Sequence, residues 1–69
     1  MIILADLLHK LPLFKRVAVI SHNDTFIQQI MSVEDYLNSI TYKSVKYKHI
    51  RYISPEFEDN LPYLLIVLE

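Results

Sequence analysis

Tyr63-Leu64-Leu65-Ile66-Val67-Leu68 is the stretch whose reading decides the fold. It has no polar alternation, so it reads as a strand set at the centre of a sheet or covered on both faces. It is far short of the ~20 apolar residues that a membrane-spanning helix requires. Just before it lies Pro55-Glu56-Phe57-Glu58-Asp59-Asn60-Leu61-Pro62, an acidic segment bracketed by prolines, which reads as a loop. Upstream again, Tyr47 to Ser54 reads as another strand, so the C-terminal third is expected to be a hairpin with a long connection.

The first half supplies what covers this hairpin. Leu4, Leu7, Leu8 and Leu11 recur at i, i+3, i+4 and i+7 and predict a helix over 4–11, ended by Pro12. Val17-Ala18-Val19-Ile20 and Phe26 to Met31 read as two antiparallel strands joined through His22-Asn23-Asp24-Thr25. Ser32-Val33-Glu34-Asp35 resembles a capping box with Asp in place of Glu, and Val33, Tyr36, Leu37 and Ile40 form one stripe, predicting a helix over 33–40. Residues 41–46 read as a connection or the start of a strand. The expected fold is α+β over residues 1–69, in the order α-β-β-α-β-β. Its four-stranded sheet is expected to be mostly antiparallel, with two short helices on one face.

Composition narrows the chemistry. The 69 residues are 52% hydrophobic and 22% charged, with net charge −1, which is a folded rather than a disordered composition. There is no glycine. That excludes the glycine-rich phosphate loop, the dinucleotide-binding turn and the G-x-S-x-G nucleophile elbow, each of which needs a residue without Cβ. Tight turns must then rely on Asn, Asp or ordinary type I geometry. The absence of cysteine removes thiol and disulfide chemistry. His9, His22 and His49 are far apart and lack zinc-ligand spacing, so no metal, cofactor or catalytic set is expected. Without a leader-like N-terminus or a membrane span, the expected location is cytoplasmic. A chain this short is marginal alone, and without disulfides or metal a homodimer is the default expectation.

One segment interleaves aromatic and basic residues: Tyr42-Lys43-Ser44-Val45-Lys46-Tyr47-Lys48-His49-Ile50-Arg51-Tyr52. Lys43, Lys46, Lys48 and Arg51 could follow a phosphate backbone while Tyr42 and Tyr47 stack on bases. The plainer reading is an amphipathic strand with solvated lysines, and the net charge of −1 favours it. Glu56, Glu58 and Asp59 lack calcium-loop spacing and read as a solvated loop. Phe57 and Leu61 read first as a lid folded back over the core, and second as contact points for a partner.

Asp6-Leu7-Leu8 with Leu11, then Val33 and Leu37, Ile50 with Ile53-Ser54, and the closing Leu64-Leu65-Ile66-Val67 form a pattern that resembles small α+β proteins encoded by phages and prophages of Gram-positive bacteria. The likeness spans most of the chain but consists of hydrophobic spacings. The missing glycine departs from it, since the first hairpin of such proteins commonly carries one. The resemblance implies no catalytic residues. It implies an accessory protein that binds and occludes a host or phage macromolecule, such as a host-defence protein. The expected function is therefore a non-enzymatic protein-interaction module, with a nucleic-acid-binding or regulatory protein using 42–52 as the second expectation.

Overall fold

The computed structural model describes residues 2–23 and 29–69. The elements run α1 (Leu4–Leu8), β1 (Arg16–Ser21), β2 (Met31–Ser32), α2 (Val33–Leu37), α3 (Ile40–Val45), β3 (Ile50–Glu58) and β4 (Leu61–Leu68). The strands form one sheet in the order β2-β1-β4-β3. The fold is α+β, and β4 is central as its composition predicts. The sheet is mixed, however, and not mostly antiparallel. β1 pairs antiparallel with β2 and β3 pairs antiparallel with β4, but β4 lies parallel to β1, with Val17 opposite Leu64 and Ser21 opposite Leu68. The chain leaves β2, passes through α2 and α3, and reaches the far edge first as β3. The return strand β4 then fills the gap beside β1 and must run alongside it.

The helices contribute to one core cluster. Leu4 and Leu8 from α1, Val33 and Tyr36 from α2, and Tyr42 from α3 pack with Val17, Ile66 and Leu68 on one face of the sheet. α1 is shorter than the leucine spacing predicts. After Leu8 the backbone tightens, with the Lys10 and Leu11 N–H groups donating to the Leu7 and Leu8 carbonyls three residues back. At its start, where an α-helix leaves N–H groups unpaired, Leu4 and Ala5 donate to the carbonyls of Lys48 and Lys46. This ties the N-terminus to the segment between α3 and β3.

Two helices replace the one expected over 33–40, and the segment 41–46 is helical rather than extended. Ser32 caps α2 as predicted, its hydroxyl accepting from the Asp35 N–H at 3.1 Å. The second break comes from Ser39. Its hydroxyl donates to the Tyr36 carbonyl at 2.7 Å, closing α2, and accepts from the Tyr42 N–H at 3.2 Å, opening α3. The new helix turns Tyr42 and Val45 inward at i and i+3 and leaves Ile40 84% exposed, off the stripe to which its spacing assigned it.

The acidic segment 55–62 is not a loop. Both strands run through it and meet at the two-residue turn Asp59-Asn60, with φ of 52° and 66°. Paired positive φ values mark a type I′ turn, which matches the twist of a hairpin and is usually filled by Asn-Gly or Asp-Gly. Asp and Asn are the residues best able to occupy it where glycine is absent. Of the first hairpin, β1 stands where expected and β2 is confined to Met31–Ser32. Asp24 and Thr25 of the connection expected at 22–25, and Phe26 to Gln28 of the strand expected over Phe26 to Met31, lie outside the described residues.

Candidate interaction surface

Backbone pairing determines what β3 presents to its surroundings. A two-residue hairpin makes Glu58 and Leu61 a hydrogen-bonded pair, so pairs along the ladder then alternate in type. Glu56, Ser54 and Tyr52 spend their N–H and C=O groups on β4, whereas Phe57, Pro55 and Ile53 direct theirs away from it. The two prolines obey this rule: Pro55 and Pro62 both fall at positions that do not bond across the hairpin. β3 is the outer strand of the sheet among the described residues. Its first residue is already occupied, since the Ile50 N–H donates to the Ile2 carbonyl at 2.9 Å and Ile3 bridges His49. A bulge at Arg51 then reverses the alternation. From Arg51 to Glu58 the outward groups of this edge have no partner strand among the described residues.

Side chains along this edge are apolar and exposed. Ile53 is opposite the core residue Ile66, yet is itself 41% exposed, because the helices pack over β1, β4 and Ile50 and stop short of it. Phe57 is 73% exposed and Leu61 54%. The lid expected of Phe57 and Leu61 does not form, since the straight hairpin carries both beyond the helices. Ser54 and Glu56, on the opposite face, join through a hydrogen bond of 2.7 Å from hydroxyl to carboxylate.

The strip 42–52 is not a continuous surface. Tyr42 is 8% exposed and belongs to the core, where its ring meets Tyr36. Lys43 sits on α3 and Lys46 caps its C-terminus with its ammonium 5.1 Å from the Tyr47 ring centroid. Tyr47 and Lys48 lie in the connection, Arg51 at the bulge, and Tyr52 on β3. The single strand that the strip was expected to form is therefore broken by a helix and a turn.

A cleft of about 480 Å³ lies between the sheet and α2–α3, lined in part by Val19, Met31, Tyr36, Val45, Lys48 and Leu68. Lys48 is the one charged group among its described lining residues. The Tyr36 hydroxyl is buried without a hydrogen-bond partner among the described residues, and its pKa is pushed up to about 12, first by burial and then by neighbouring Tyr42. No group of three or more His, Cys, Asp or Glu side chains able to hold a metal occurs among the described residues. No described helix is long and apolar enough to cross a membrane.

Sequence reasoning singled out Phe57, which the structure leaves exposed, but it missed Ile53 as its neighbour on an open edge. The signal was present in Ile53-x-Pro55-x-Phe57, an alternation that continues straight through the supposed loop. Searches against protein-family models, curated proteins and solved structures matched nothing.

Proposed function

We infer that this chain is a non-enzymatic protein-interaction module that binds by adding a partner strand to β3. The observation that carries this reading is the edge from Arg51 to Glu58, unpaired among the described residues and flanked by exposed Tyr52, Ile53 and Phe57. Backbone groups at such an edge supply affinity, and alternate side chains supply selectivity. The finer reading is a cytoplasmic accessory protein of phage or prophage origin that occludes a host or phage macromolecule. It is supported by the resemblance in hydrophobic spacings. The nucleic-acid reading is weaker, because Tyr42 is withdrawn into the core from the strip that reading requires.

Affinity capture from a Gram-positive bacterial lysate tests the proposal, with wild type and Phe57→Lys run side by side. A protein retained by the wild type and lost with the folded variant supports it. Equal capture by both, or a shift of labelled single- or double-stranded nucleic acid at micromolar protein, counts against it.

A further inference from the structure

We propose that the strand added to β3 is the β3 strand of a second copy of this chain, paired antiparallel about a two-fold axis at Pro55. This rests on the strand-addition reading above and specifies its partner. The limits of the free edge narrow the choice of register. On one side Ile50 is taken by Ile2, and on the other the chain turns at Asp59-Asn60. The open segment runs from Arg51 to Glu58, with its middle at Ser54-Pro55, and of the antiparallel registers near that middle, Pro55 facing Pro55 is one that sets outward-directed residues opposite each other.

That register is also the chemically complementary one. Ile53 of each copy falls opposite Phe57 of the other, and both are residues whose N–H and C=O groups point outward, so each pair closes two backbone hydrogen bonds. Ile53, Pro55 and Phe57 share one face, so the apolar stripe continues across the axis. Arg51 falls opposite Asp59, and Ser54 opposite Glu56. A shift by two residues in either direction places Ile53 or Phe57 against Pro55, which has no N–H to give. In the proposed register Pro55 meets only itself, so the missing donors fall together at the axis and the outer pairs remain intact. The resulting dimer is reversible rather than obligate.

The absence of cysteine makes disulfide trapping a clean test. In the new ladder Ser54 and the facing Glu56 form a non-hydrogen-bonded pair, with Cα atoms about 4.5 Å apart and within disulfide range. Ser54→Cys and Glu56→Cys are prepared separately, checked for folding by circular dichroism, and oxidised alone and mixed. The expected result is a cross-linked dimer in the mixture and little in either variant alone. Sedimentation should show a concentration-dependent dimer for the wild type, weakened at least about tenfold by Phe57→Lys. A wild-type chain that stays monomeric up to millimolar concentration overturns the proposal, as does a dimer in which Ser54→Cys traps itself as well as the mixture does. A monomer that still loses a lysate protein on Phe57→Lys would place the strand of another protein on the edge. The strand-addition reading would then stand and self-pairing would fail.

Discussion

Tyr36 and Tyr42 meet edge to face in the core, with ring centroids 5.8 Å apart and planes inclined by 67°. The contact joins α2 to α3 and fixes the helical layer on the sheet. It also buries a phenol whose hydroxyl has no partner among the described residues. Replacing Tyr36 by Phe keeps the ring contact and removes the unpaired group, so stability at neutral pH is expected to hold or rise. In the unfolded chain this phenol titrates at its ordinary 10.0, and in the folded one at about 12. The folded state therefore holds the proton more tightly. The associated stability is complete below pH 10 and is lost as pH rises from there towards 12. Urea unfolding from pH 8 to 11 should show this alkaline decline in the wild type and a shallower one in Tyr36→Phe. A loss above about 1 kcal/mol in the variant at pH 7 would mean that the hydroxyl is paired after all.

Ser39 serves two helices at once, so its loss should exceed that of an ordinary cap. Ser32→Ala removes one bond and is expected to cost about 1 kcal/mol. Ser39→Ala removes the closing bond to Tyr36 and the opening bond from Tyr42 together, and about 2 kcal/mol is expected. Denaturant midpoints of the two variants, compared at equal slope, decide the order. If Ser32→Ala proves the more damaging, Ser39 is not what divides the helices.

The turn Asp59-Asn60 gives a third test. Asn60 sits at φ 66°, where glycine has no Cβ to crowd the backbone. Asn60→Gly should leave stability unchanged or raise it by a few tenths of a kcal/mol. Asn60→Val should lower it by roughly 1–2 kcal/mol. Equal melting temperatures for the two variants would argue against a left-handed conformation at this position.

These positions also mark how much of the fold the sequence made legible. The central place of Tyr63–Leu68 and the Ser32 cap are local matters of apolar content and a hydroxyl three residues from its donor, and both were readable. The direction of β4 relative to β1 was not, because it depends on which hairpin edge closes the sheet rather than on any local pattern. The rule that Asp and Asn must replace glycine in turns was sound. It was applied at Asn23-Asp24, while Pro55 and Pro62 disguised Asp59-Asn60 as part of a loop. Proline interrupts a strand only where its missing N–H faces a partner, and in this hairpin both prolines face away. The same oversight hid the interaction surface, since Phe57 in a loop has no aligned neighbours, whereas Phe57 in β3 shares a face with Ile53.

Amide exchange along β3 in dilute protein tests the open edge most directly, since it reports each backbone N–H separately. Ser54 and Glu56, bonded to β4, are predicted to exchange slowly, while Ile53 and Phe57 exchange fast and become protected as the chain is concentrated. Slow exchange at Ile53 and Phe57 in the dilute monomer would contradict an open edge, because those groups would then already have partners.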